Sequence, residues 1–202
     1  MKPGGRLYRV AYCIVRVVFG IVYRFEVTGR ERIPEGAALV CASHSKAFDP
    51  FYLAFAFTRK YRLYIMAKIE LFRIPVLAPI LRKLGMIGVD RGISDVSAIR
   101  ATLNCLKGGG LVGIFPEGTR VSEDEAGASK RGAVWLAERA GVPLLPVYIP
   151  RRMSIFRRNP LVIGEPYVIE KIPGKRPTEG YTELADDLMS RIAALKPQPK
   201  SK

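Results

Sequence analysis

Apolar residues in this chain fall into short runs divided by turns, and two periods alternate along it. Residues 37–42 are apolar throughout and predict a buried parallel strand; residues 111–115 and 144–149 read the same way. Shorter strands are expected at 25–29, 62–67 and 85–89, and within 161–169. Between them lie helical patterns. Asp49-Pro50 opens a helix through 57, with proline at its first position. Residues 71–84 carry Pro75 and Pro79 and predict a broken pair of short helices. Ser94 is expected to cap a helix whose apolar face holds Val96, Ile99, Leu103 and Leu106, ended by Gly108-Gly109-Gly110. Residues 131–140 form another, closed by Gly141. Tyr181, Leu184, Leu188, Ile192 and Leu195 mark a last amphipathic helix. Strands alternating with helices predict an α/β fold, a mostly parallel central sheet flanked by helices.

The first 24 residues stand apart. Arg9 and Arg16 interrupt an apolar run too short of uninterrupted length for a bilayer crossing, and no cleavage site of a signal peptide follows. At about 100° per residue, Arg6, Arg9 and Arg16 share one side of a helix. Val, Ile, Leu, Phe and Tyr fill the rest. A basic stripe on a broad apolar helix suits the interface plane of a membrane. A helix packed on the domain with its arginines in water fits the same pattern. The division expected is a membrane-associating segment at 1–24, one domain at 25–196 and a disordered tail at 197–202.

Charge sharpens this picture without deciding it. Lysine and arginine number 33 against 18 acidic residues, a net charge of +15. Such a surface attracts nucleic acid, anionic lipid or phosphorylated substrates. No helix-turn-helix, zinc-finger or RNA-binding aromatic signature accompanies it, which leaves a nucleic-acid-binding protein as the weaker reading. The three cysteines, Cys13, Cys41 and Cys105, are widely spaced. They suit reduced thiols facing the cytosol, and neither they nor the single histidine offers a metal-site pattern.

That histidine, His44, leaves the predicted strand at 37–42, and Asp49 follows five positions later. Imidazole moves protons near neutral pH, and a carboxylate can hold its second nitrogen. If the substrate brings its own hydroxyl, no nucleophilic side chain is needed for direct acyl transfer from a thioester. The plainer alternative makes Asp49 a helix cap and His44 a surface residue. Two more loops leave predicted strands with charge: Asp90-Arg91-Gly92, and Glu117-Gly118-Thr119-Arg120. In a parallel sheet all three loops share one edge, where crevices form. Arg91 and Arg120 suit a phosphate, and Glu117 a substrate hydroxyl or one of these arginines. Lys68, Lys130 and Arg131 extend the cationic surface or are plain solvated charges.

The combination resembles the glycerolipid acyltransferase family. His44 to Asp49 matches its His-x4-Asp motif, Gly88 to Gly92 its second block, and Phe115-Pro116-Glu117-Gly118-Thr119-Arg120 its third in full. Val142-Pro143-Leu144-Leu145-Pro146-Val147 matches the fourth. One departure is Ser43, where many members have asparagine. The resemblance implies a 1-acyl-glycerol-3-phosphate acyltransferase with His44 as base assisted by Asp49. It implies that Arg91, Glu117, Gly118, Thr119 and Arg120 bind the phosphate end of the acceptor. It implies that Val142, Pro143 and Pro146 lie on the acyl side. It implies acyl-CoA or acyl carrier protein as co-substrate, no metal, no tightly bound cofactor, and a place at the cytoplasmic face of an anionic membrane. Another lysophospholipid, glycerol 3-phosphate or an amino-acid lipid is the alternative acceptor.

Overall fold

The apolar run at 38–42 becomes strand β2 (Ala38–Ala42), and every one of its residues is buried. A strand covered on both faces has no polar alternation, which is why the run is continuous. The computed structural model describes residues 10, 13, 17, 20–44, 49–57, 61–75, 77–90, 95–117, 123–170 and 177–198. The other strands among them are β1 (Phe25–Thr28), β3 (Leu63–Lys68), β4 (Ile87–Val89), β5 (Leu111–Ile114), β6 (Leu144–Tyr148) and β7 (Asn159–Ile163). The helices are α1 (Asp49–Ala56), α2 (Leu77–Leu84), α3 (Val96–Lys107), α4 (Glu123–Ala140) and α5 (Pro177–Ala194), with 3-10 turns at Arg30–Arg32 and Ile69–Arg73.

The strands form one sheet in the order β1-β7-β6-β2-β5-β3-β4. From β6 to β4 the strands are parallel; β7 is antiparallel to β6, and β1 follows β7. The expected mostly parallel sheet flanked by helices is the fold observed. Period two along β2 divides the core. Ala38, Val40 and Ala42 face Tyr52, Leu53 and Ala56 of α1. Leu39 and Cys41 face the layer built by Leu106 of α3, Val134 and Ala137 of α4, and Leu188 and Ile192 of α5. Gly29 closes β1 at φ 83°, and a side chain there would strike the Ile163 carbonyl.

Several boundaries differ from the sequence reading. The α3 cap is Asp95, whose carboxylate accepts the Ala98 N–H at 3.0 Å; Ser94 lies outside the described residues. The buried face of α3 is accordingly Ala98, Thr102 and Leu106, while Val96 is exposed. Helix α4 begins at Glu123, before the expected start at 131, because its polar first turns leave no apolar stripe to read. The strand expected within 161–169 is β7, and Tyr167 beyond it makes only an isolated bridge to Leu144.

At the N-terminus, Val10, Cys13, Val17 and residues 20–23 are helical. Val10, Val17 and Ile21 fall on one side of that helix and are exposed. Arg6, Arg9 and Arg16 lie outside the described residues, as does the tail from 199 onward. No helix among the described residues is long and apolar enough to cross a membrane.

Candidate active site

Where β2 ends, the ladder passes from backbone to side chains. The Ser43 N–H still donates to the Val147 carbonyl of β6 at 3.3 Å. Its hydroxyl then donates to the Ile149 carbonyl and accepts from the Ile149 N–H, both at 3.0 Å. On the other flank Cys41 is level with Ile114 of β5, and that register carried onward sets His44 beside Glu117. The His44 N–H accordingly donates to Glu117 Oε2 at 3.3 Å. The main chain at Ser43 and His44 is thus held from both flanks.

The side chain of His44 is held too. Asp49, first residue of α1, is 1% exposed, and its Oδ2 lies 2.9 Å from His44 Nδ1. With the carboxylate as acceptor, Nδ1 carries the hydrogen and Nε2 keeps its lone pair. The imidazole also packs on Phe115, ring centroids 4.4 Å apart. Tyr52, one turn beyond Asp49, is buried, and burial pushes its phenol up, helped by a bond with Tyr23 and the charge of Asp49. It therefore stays protonated beside the carboxylate. Such an arrangement can take a proton from a hydroxyl brought to Nε2.

Strand β4, parallel to β3, ends at the same edge. Asp95 accepts from the Asp90 N–H at 3.0 Å, from the Ser97 hydroxyl at 2.6 Å and from the Ala98 N–H at 3.0 Å. These donors, that of Asp90 first, hold its carboxyl down to about 2. Asp95 thereby staples both ends of the loop that contains Arg91. Arg91, Gly118, Thr119 and Arg120 themselves lie outside the described residues.

The acyltransferase family model matches residues 24–150 of this chain, the span that contains this edge. The chain belongs to the acyltransferase family. Its relatives include the 1-acyl-sn-glycerol-3-phosphate acyltransferase of Bacillus subtilis, 33% identical over 195 residues, 92% of this chain and 96% of that protein. The protein of the same name from Pseudomonas aeruginosa is 36% identical over 142 residues, 69% of this chain and 53% of that one. The crystal structure of a 1-acyl-sn-glycerophosphate acyltransferase from Thermotoga maritima superposes with a TM-score of 0.65 at 23% identity, over 96% of this chain and 80% of that chain. That likeness carries the fold.

In this acyltransferase the structure brings His44, Asp49 and Glu117 together. It brings the end of the fourth block, Val147, to that edge, but not its start. Val147 is level with Ala42, and Val142 lies five residues back, roughly 16 Å at about 3.3 Å per residue. Val142 is buried in the layer of α4 and α5, and Pro146 shares that face, against Gly164 and Leu195. The sequence reading set Val142, Pro143 and Pro146 on the acyl side; in the structure Val142 and Pro146 face the layer of α4 and α5. Phe115, Val147 and Ile149 share the apolar face of His44 instead. Lys68 ends β3 at the same edge as His44 and pairs with Glu70 at 3.0 Å. Lys130 and Arg131 are half-buried on α4. Among the described residues no group of three or more His, Cys, Asp or Glu could hold a metal. Sequence reasoning missed Asp95 and Phe115. An acidic residue opening a helix was the legible signal for the first; the second opens the third block, at the end of a predicted strand.

Proposed function

We propose that this acyltransferase moves a fatty acyl group from a thioester to the free sn-2 hydroxyl of 1-acylglycerol 3-phosphate, giving phosphatidic acid. The observation that carries the reading is the His44–Asp49 pair, 2.9 Å apart with its carboxylate buried, at the sheet edge where Glu117 meets the His44 N–H. The names of the relatives support the acceptor. Nε2 of His44 takes the hydroxyl proton as the oxygen attacks the thioester carbonyl. Asp49 steadies the imidazolium that forms. The tetrahedral intermediate expels the thiolate, which takes the proton from Nε2, so no covalent acyl-enzyme is needed. Arg91 and Arg120 meet the phosphate of the acceptor, with Gly118 and Thr119 in the same turn. Glu117 serves chiefly to hold His44, since one of its oxygens accepts the histidine N–H.

Acyl-CoA or acyl carrier protein supplies the thioester, and both are acidic partners for a chain of charge +15. The enzyme sits peripherally on an anionic membrane. The exposed apolar positions Val10, Val17 and Ile21 support that placement.

The test is an assay of purified protein with labelled acyl-CoA and acyl carrier protein thioesters against a panel of acceptors, read by mass spectrometry. Phosphatidic acid from 1-acylglycerol 3-phosphate is expected as the fastest product. If that acceptor is inert while another lysophospholipid, glycerol 3-phosphate or an amino-acid lipid reacts, the acceptor assignment falls.

A further inference from the structure

We propose that the loop joining β6 to β7, residues 150–158, is a second membrane contact. It seats Ile155 and Phe156 in the apolar boundary of an anionic bilayer while the flanking arginines meet lipid phosphates. The proposal rests on the reading of the protein as an enzyme of a lipid surface.

Ile155 is 58% exposed and Phe156 67%. Large apolar side chains at a loop tip gain nothing from water, and a pair of them with basic flanks is the chemistry of an interfacial anchor. Arg151 and Arg152 precede them, Arg157 and Arg158 follow, and all four are exposed. Glu26 approaches Arg158 at 3.9 Å, and the loop itself contains no acidic residue. A positive collar around an apolar tip complements anionic headgroups above an acyl region.

The exposure is built in. Asn159 is 2% exposed. Its amide nitrogen donates to the Ser154 and Arg157 carbonyls, both at 2.9 Å, and to that of Tyr23. Its oxygen accepts the Ser154 N–H at 2.8 Å. The Phe156 N–H donates to the Val22 carbonyl at 2.7 Å. Phe156 is held at φ 60°, a left-handed backbone that aromatic residues rarely adopt. Strain of this kind persists only where the surroundings fix it, and here it presents a phenyl ring to solvent.

Position completes the argument. The loop leaves the strand end at which Ile149 is clamped to Ser43, so it lies on the His44 edge. It touches the end of the N-terminal helix, whose Ile21 is also exposed. Past β3, on the far side of His44, Leu71 and Ile74 are exposed beside Arg73 and the Lys68–Glu70 pair. Strands β7 and β3 are four places apart in the sheet, roughly 19 Å at about 4.8 Å per strand. β2, whose end leads to His44, lies between these two exposed apolar patches.

The experiment compares wild type with Ile155→Ser/Phe156→Ser and with Arg152→Gln/Arg157→Gln. Sedimentation with phosphatidylcholine vesicles, with and without phosphatidylglycerol, reads binding; a short-chain, water-soluble lysophosphatidic acid reads turnover without vesicles. The apolar pair should lose about tenfold in partition to all vesicles. The arginine pair should lose mainly the preference for phosphatidylglycerol. Turnover on the soluble acceptor should hold within about twofold. In Trp135→Phe/Phe156→Trp the single indole should shift to shorter wavelength when vesicles are added. Unchanged partition of the apolar pair, or an unmoved emission, overturns the proposal. So does lost turnover on the soluble acceptor with binding intact, which would put the loop in the acceptor pocket. Partition is read without substrate, so failure of the acceptor assignment leaves the vesicle result standing.

Discussion

The two ends of β2 are only a few residues apart and are built on different terms. At its start the contacts are backbone and aliphatic: the Leu39 N–H donates to the Pro143 carbonyl, and Leu144 and Tyr167 exchange two bonds. Leu39 and Leu144 are fully buried. At its end, side chains take over the ladder: Ser43 to β6, Glu117 to His44, and Asp49 to the imidazole. The starting edge also holds a cavity of about 420 Å³, lined by Arg62, Tyr64, Asn104, Cys105 and Gly110. Its polar groups are turned on one another. Arg62 lies over the Tyr64 ring at 4.7 Å, the Gly108, Gly109 and Gly110 amides close the end of α3, and burial pushes the Cys105 thiol up to about 11. A cavity alone does not make a site. What distinguishes the His44 edge is that polar side chains there hold one reactive group and leave one of its atoms unspent.

If the edges divide stability from chemistry, substitutions should sort accordingly. The largest effect is expected at His44. His44→Gln should lower kcat about 10³-fold, and Asp49→Asn about 10²-fold, with His44→Gln leaving the thermal midpoint within a few degrees. Retention of a tenth of wild-type turnover by His44→Gln would break the comparison at its centre. Next is Leu144→Ala at the opposite edge, expected to cost about 2–5 kcal/mol in denaturant unfolding with kcat per folded molecule unchanged. A parallel loss of kcat would mean the edges cannot be separated. The smallest is Ser43→Ala, which strands the Ile149 N–H and carbonyl and should cost about 1–2 kcal/mol. It should reduce kcat several-fold while KM stays put, and Ser43→Thr, which keeps the hydroxyl, should restore most of the rate. A shift in KM alone would make Ser43 a substrate contact.

What the chain announced and what it concealed follow from the range of each interaction. β2 was legible because a strand buried on both faces is apolar at every position. His44 and Asp49 were legible because a short spacing across a strand–helix turn already restricts where the pair can point. The partner of Glu117 was not, since it depends on the register of β2 against β5, a fact of two distant segments. The fourth block shows the same limit: its apolar run reads plainly as a strand, but neither its direction nor its face is written in it. Residues 151–158 carry no period at all, and only the fold reveals that Asn159 gathers them into a fixed tip. The charge of +15 pointed to several polyanions and chose none.

One contact has a practical bearing. Tyr23, at the close of the first helix, sets its ring edge-on against Tyr52 at 5.7 Å and stacks on Phe25 at 6.1 Å. Tyr52 belongs to the same helix as Asp49. A shortened protein beginning at Phe25, the obvious choice for easier purification, would remove the ring that packs on Tyr52, the phenol that feels the charge of that carboxylate. Any drop in its turnover would then report a damaged interior, and would be misread as the mere consequence of a lost anchor.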